Sequence, residues 1–141
     1  MILIWYLIGM KLLTRNTDYA VRAMCHMAKR GQGVISVTEL VKALKIPRPF
    51  LRKILQALGR KGIVRSSKGV GGGFGLAVPA NRIYLVDLIE ALQGPFSINE
   101  CIFKRKLCPN VRACPLKKKI DAIGRYVESE LRSITIGSLL K

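Results

Sequence analysis

Residues 36–76 read SVTELVKALKIPRPFLRKILQALGRKGIVRSSKGVGGGFGL, and their punctuation sets the fold. Ser36 followed by Glu39 has the form of a capping box, in which side chains and backbone at a helix start satisfy each other's hydrogen bonds. A helix is therefore predicted over SVTELVKALK. Ile46-Pro47 stops it, because the residue before a proline is driven out of helical geometry. A second helix is predicted from about Pro49 to Lys61. Phe50, Leu51, Ile54, Leu55 and Leu58 form its apolar stripe, while Arg48, Arg52, Gln56 and Arg60 lie on the other side with Lys53 beside them. After Gly62, the short apolar runs Ile63-Val64-Arg65 and Leu76-Ala77-Val78 flank the Gly-rich stretch SSKGVGGGFG, which predicts a β-hairpin.

Working outward, residues 15–30 carry Tyr19, Ala20, Ala23, Met24 and Met27 at helical spacing, with Thr17 or Asn16 as the expected cap and Gly31 and Gly33 as the stop. Residues 85–93, LVDLIEALQ, make one more short helix ended by Gly94-Pro95. Residues 95–114 hold no periodic pattern, and an irregular stretch of that length in a small domain calls for a reason such as a bound metal centre. From Pro115, a favoured first helical residue, a long helix is predicted to about Ser133. Its apolar residues Leu116, Ile120, Ile123, Val127, Leu131 and Ile134 recur at spacings of 4, 3, 4, 4 and 3, a narrow near-heptad seam. Such a seam suits pairing with a second copy through Ile120, Ile123, Val127 and Leu131; the alternative is packing onto its own domain. The expected fold is mainly α with a small β-hairpin, a winged helix-turn-helix domain followed by a long C-terminal dimerisation helix. The expected divisions are residues 1–9 as a non-native N-terminal extension, 10–94 as the winged domain, 95–114 as a cysteine loop, and 115–141 as dimerisation helix and tail.

The chain of 141 residues is long enough for one modest core, and half of it is apolar. Lys and Arg number 25 against 8 Asp and Glu, a formal net charge of +17. A folded chain that basic repels itself, and a polyphosphate partner offsets the repulsion. Nine of the cations fall between Lys42 and Lys68, where there is no acid. In a helix-turn-helix, Arg48 and Arg52 stand near the end of the second helix that reaches base edges, and Arg pairs bidentately with guanine. Lys53, Arg60 and Lys61 are suited to phosphates, with Gln56 on the same basic side. Lys68 with Gly71, Gly72 and Gly73 makes a thin cationic hairpin tip, suited to a narrow minor groove. The glycines do not fit a phosphate loop, since no Gly-Lys-Ser/Thr ending follows, and Phe74 stands where a dinucleotide fingerprint needs its third Gly. No catalytic triad or paired carboxylates appear, so an enzyme is not expected.

The opening run MILIWYLIG is far shorter than the roughly 20 residues of a membrane span. It also lacks the basic region and cleavage site of a secretory signal. Met10 is therefore read as the natural start, the compartment as cytoplasmic and reducing, and the protein as having no membrane partner. Three of four cysteines cluster as C-x6-C-x5-C, Cys101, Cys108 and Cys114. Thiolates suit iron–sulfur clusters or zinc, but structural zinc favours tighter pairs and four protein ligands. The wide gaps favour a [4Fe–4S] or [2Fe–2S] centre, and Lys104, Arg105, Lys106 and Arg112 would offset its negative charge. Cys25, beside Met24 and Met27, reads as a small packing hydrophobe, and His26 as a surface or packing residue, with its nearness to Asp18 keeping it a reserve ligand.

Further motifs carry a resemblance: Leu13-Thr14 with Thr17-Asp18-Tyr19-Ala20-Val21-Arg22-Ala23, the stretch Gly69-Val70-Gly71-Gly72-Gly73-Phe74, the cysteine triplet, and Ile134-Thr135-Ile136-Gly137. Over residues 10 to about 139 the chain resembles the Rrf2 family of bacterial winged-helix regulators. The resemblance implies a homodimer with a long dimerisation helix, the second helix in the major groove, the wing in the minor groove, and Arg52 where the family discriminates operators. The expected partner is a double-stranded, palindromic operator and the expected role that of a repressor. IscR-like members place a His three residues after the third Cys, where this chain has Lys117. NsrR-like members use an acidic residue of the first helix from the other subunit, a position matched by Asp18. The resemblance thus implies Asp18 as fourth ligand in trans and [4Fe–4S] over [2Fe–2S], on a cysteine spacing one residue wider than the family's usual C-x5-C-x5-C. Three rivals stand beside it. They are a DNA-binding regulator with a thiol switch or zinc, a basic RNA- or ribosome-binding module with a structural metal, and a membrane-surface protein anchored by residues 1–9.

Overall fold

The computed structural model describes residues 12–96 and 113–141. The element order is α1 (Arg15–Arg30), α2 (Val37–Leu44), α3 (Arg48–Arg60), β1 (Val64–Ser67), β2 (Gly73–Leu76), a single 3-10 turn (Ala80–Arg82), α4 (Leu85–Gln93), α5 (Pro115–Ser133) and α6 (Ile136–Leu139). This is the mainly helical winged fold expected, with one antiparallel hairpin in which Val64 pairs with Leu76 and Ser67 with Gly73.

The helices form around one core. Ala20, Ala23, Met24 and Met27 of α1 meet Leu40 of α2, Leu51, Ile54, Leu55 and Leu58 of α3, and Leu88 of α4. Each Leu or Ile removed from water there contributes roughly 1.5–3 kcal/mol. Between α2 and α3 the chain turns at Lys45, which adopts the left-handed conformation, φ 54°. Ile46, 1 % exposed, plugs into the core immediately after it, so the angle between the two helices is fixed by burial as well as by the proline that follows. Ser36 and Glu39 form the anticipated capping box: the Glu39 N–H donates to Ser36 Oγ at 3.1 Å and the Ser36 N–H to Glu39 Oε2 at 3.1 Å.

Four details differ from the sequence expectation. The cap of α1 is Thr14, whose hydroxyl accepts from the Thr17 N–H. Thr17 is fully buried and donates instead to Gln93 Oε1 at 2.6 Å. Phe50 lies at the edge of the α3 stripe and is 47 % exposed. The strands are shifted: β1 runs through the serines, and β2 lies inside the glycine stretch rather than at Leu76-Ala77-Val78. Backbone crowding explains the last shift. Ile35 exchanges two 2.9 Å backbone hydrogen bonds with Phe74, and a Cβ at Gly73 would stand 2.1 Å from the Ile35 carbonyl oxygen. A side chain there would push the wing off the body. The last segment also returns to the winged domain. Ile136 is fully buried, its N–H donates to the Ile83 carbonyl at 2.8 Å, and the Leu85 N–H donates to the Ile134 carbonyl at 2.9 Å. The two ends of α5 are thus held differently, the C-terminal end by a core residue and a two-residue backbone clasp.

Candidate DNA interface and cysteine segment

α3 presents two unlike faces. Its buried side holds Leu51, Ile54, Leu55 and Leu58, while Arg48, Arg52, Lys53, Gln56 and Arg60 are exposed. The turn of α2 into α3 brings the starts of the two helices together. There Arg48 Nη2 donates to Thr38 Oγ1 at 2.7 Å, with both side chains exposed. The arginines divide into two groups by partner. Arg22 faces Asp18 at 3.9 Å and donates to the Leu44 carbonyl at 3.4 Å, where it satisfies an end of α2. Arg30 pairs with Glu39 at 3.3 Å, and Arg132 with Glu128 at 2.7 Å and Glu90 at 3.7 Å. Among the described residues no carboxylate pairs with Arg48, Arg52, Arg60 or Arg65. Their charge is therefore available to an anionic partner.

In the wing, Lys68, Gly69, Val70 and Gly71 are exposed, and a Gly72 N–H to Gly69 carbonyl bond of 3.0 Å closes the tip. Gly72 and Gly73 have a packing reason to be glycine: a Cβ on Gly72 would stand 2.4 Å from the Ser67 carbonyl oxygen, and that of Gly73 would strike Ile35. Gly71 is open at the tip. Sequence reasoning passed over Arg65, exposed on β1, and Thr38. Alternation in β1 after buried Val64 was the available signal for Arg65. Thr38 had none short of knowing the angle between α2 and α3.

Of the proposed metal ligands, Cys101 and Cys108 lie outside the described residues, as do Lys104, Arg105, Lys106 and Arg112. Among the described residues, no group of three His, Cys, Asp or Glu could hold a metal ion. Cys114 is a free, half-buried thiol that caps α5, its sulfur accepting from the Lys117 N–H at 3.5 Å. A thiolate ligand is anionic, and the amide end of a helix is a place where negative charge is favoured; the donor type and its setting fit a cluster. Lys117 itself is bound to Asp121. Asp18 is exposed on the first turn of α1. The end of α4 that leads into the segment is anchored to α1: the Thr14 N–H donates to Gln93 Oε1 at 3.0 Å and Gln93 Nε2 donates to the Leu12 carbonyl at 3.4 Å. Gln93 thus meets the turn that carries Asp18, a link that sequence reading did not foresee. Cys25 packs against the core, and burial pushes its thiol pKa up, an effect partly offset by the Lys29 charge.

α5 buries none of its residues. Ile120, Val127 and Leu131 are half-buried, while Leu116, Ile123 and Tyr126 are 69 %, 53 % and 68 % exposed. The anticipated seam is therefore uncovered along much of its length, and Tyr126, not anticipated, adds an aromatic to it. Among the described residues no helix is long and apolar enough to cross a membrane.

The Rrf2 family, described as iron-dependent transcriptional regulators, matches residues 13–141. The chain is 34 % identical over 131 residues to the protein aau3 of Rhizobium meliloti (strain 1021), covering 92 % of this chain and 84 % of that one. Among solved structures it is similar to CymR, the global cysteine regulator of B. subtilis, at 25 % identity and TM-score 0.77, covering 93 % and 97 % of the two chains. T. potens IscR superposes with TM-score 0.71 at 25 % identity, covering 94 % of this chain and 88 % of that one. The same winged fold recurs in both, and the family consists of transcriptional regulators rather than enzymes. With the match running through nearly the whole described chain, this protein belongs to the Rrf2 family of transcriptional regulators.

Proposed function

We propose that this regulator binds a palindromic duplex as a homodimer, and that an iron–sulfur cluster on Cys101, Cys108 and Cys114 controls its operator affinity. The observation that carries the reading is the position of Cys114. It caps α5, whose apolar stripe is uncovered at Leu116 and Ile123, at the end of a segment that begins just beyond α4 of the winged domain. A cluster held in part by Cys114 would sit at the start of the helix that would pair the two copies, and half-site spacing is a geometric property of that pairing. The cluster, when bound, supplies a centre that nitric oxide, oxygen or a shortage of iron or clusters can remove. The chain's own part is to hold it. Three thiolates would come from one copy and Asp18 from the first helix of the other, while Gln93 keeps that first turn fixed to α4. A carboxylate is a weaker ligand to such iron than a thiolate, which makes the centre responsive. A [4Fe–4S] centre is the preferred form and [2Fe–2S] the alternative.

In this reading Arg48 and Arg52 reach base edges, Lys53, Gln56 and Arg60 hold the backbone, and the wing with Lys68 and Gly71 enters the minor groove. Likeness to CymR, of which an oxidized form from Staphylococcus aureus is among the similar structures, favours a second reading in which the same thiols answer by oxidation, with zinc as the other occupant in place of a cluster. Iron and acid-labile sulfide per chain, with an absorption spectrum, separate the two on protein purified without oxygen. About four of each, with a visible band bleached by nitric oxide, supports the cluster. About two of each moves the proposal to [2Fe–2S]. Zinc, or no metal, removes the cluster and leaves the thiol reading.

A further inference from the structure

An exposed arginine on a helix normally samples many rotamers, and fixing it at an interface costs entropy that weakens binding. Arg48 is restrained before any partner arrives, by its 2.7 Å bond to Thr38 Oγ1. The restraint comes from a different helix, α2, so it sets the guanidinium against the body rather than along α3. It is also neutral. Glu39, the neighbouring acid, is already engaged by Ser36 and Arg30, and Arg48 keeps its full charge. Guanidinium carries five N–H donors in a planar fork. Thr38 takes one of those on Nη2. If it takes the hydrogen facing Nε, the end-on fork of Nη1 and Nη2 stays open. If it takes the other, the side-on fork of Nε and Nη2 stays open. In either case two parallel donors remain, the number a guanine edge accepts through O6 and N7.

We infer that Thr38 is a positioning residue for base reading: it holds the Arg48 fork in place for one guanine per half-site. The inference rests on the duplex-binding reading above and deepens it. A lysine at position 48 would lack the fork, and a valine at 38 would keep the shape of threonine without the acceptor.

The test starts from duplexes selected out of a random pool by the full-length wild-type protein. Binding is then measured for wild type, Thr38→Val, Thr38→Ser and Arg48→Ala on the enriched duplex and on copies with 7-deazaguanine, which lacks N7, at each guanine in turn. Wild type and Thr38→Ser are expected to lose on the order of tenfold in affinity at one 7-deazaguanine position per half-site. Thr38→Val and Arg48→Ala are expected to bind the unmodified duplex about tenfold more weakly and to be indifferent to 7-deazaguanine at that same position. A merely destabilised fold would weaken binding to every duplex alike and keep the N7 sensitivity. If Thr38→Val retains the wild-type sensitivity at every guanine, the positioning role is wrong while DNA reading stands. If the wild type enriches no duplex at all, the DNA reading itself falls, and Thr38 with it.

Discussion

At the scale of single residues, two contacts carry more than their chemistry advertises. Gln93 accepts from both the Thr14 backbone and the buried Thr17 hydroxyl. Gln93→Ala removes that hydroxyl's 2.6 Å acceptor and leaves it the longer 3.2 Å contact to Thr14 Oγ1, a net loss of about 0.5–1.5 kcal/mol. The loss is expected as a lowered denaturant midpoint with an unchanged slope; an unchanged midpoint would show that the hydroxyl finds another acceptor. Gly73 is set by what it touches, the Ile35 carbonyl. Gly73→Ala is expected to detach the wing and weaken duplex binding while the helical circular dichroism persists. Retained affinity would mean that the wing tolerates displacement. These are also the residues at which sequence reading was weakest. Thr17 looked like a cap because a threonine before an apolar run usually is one; the side chain was taken by a partner 76 positions away. The β2 strand was misplaced because glycine has no strand preference of its own, and the need for it came from Ile35, outside the hairpin.

Among the elements, those legible in the sequence were the ones whose signals are local. The Ser36–Glu39 box, the proline before α3, the charge split along α3 and the Pro115 start of α5 all appear where their residues implied. The core duty of Ile136 was not legible, because four residues after a long helix carry no period; the burial of that residue comes from Ile83 and the 3-10 turn region. α3 depends on its buried stripe, and Leu55→Ala should destabilise the protein by about 2–5 kcal/mol, read as a shift of the unfolding midpoint. A loss well under that range would mean the core closes around the gap. α2 depends partly on its cap. The Ser36 backbone N–H, opposed by desolvation and aided to a lesser degree by the Arg30 charge, holds the Glu39 carboxyl below its ordinary pKa. A carboxyl held low in the folded state gives stability that is present above its unfolded pKa and lost as pH falls through the folded one. The gap in thermal midpoint between wild type and Glu39→Gln should therefore be present at neutral pH and close in the acid range below the ordinary carboxylate pKa. A gap that persists unchanged in acid would assign the effect to the amide's geometry rather than to charge.

For the whole molecule, the proposed assembly is two copies joined along the partly uncovered stripe of α5 with both recognition helices on one duplex, where the cations of α3 and the wing, unpaired among the described residues, would meet phosphate. Ile123→Glu places a charge on that stripe. It is expected to yield monomers by sedimentation and to reduce duplex affinity, with the circular dichroism of the winged domain kept. A dimer surviving Ile123→Glu would move the interface elsewhere. In the proposed reading this assembly is joined to the cysteines, the state of a centre on Cys101, Cys108 and Cys114 setting operator affinity. The most direct measurement is the affinity of one anaerobic preparation for its selected duplex, before and after nitric oxide removes the cluster, with metal content followed in the same samples. A change of about tenfold or more in step with cluster loss is expected, within the range usual for coupled sites. Equal affinity in the loaded and stripped protein would contradict it.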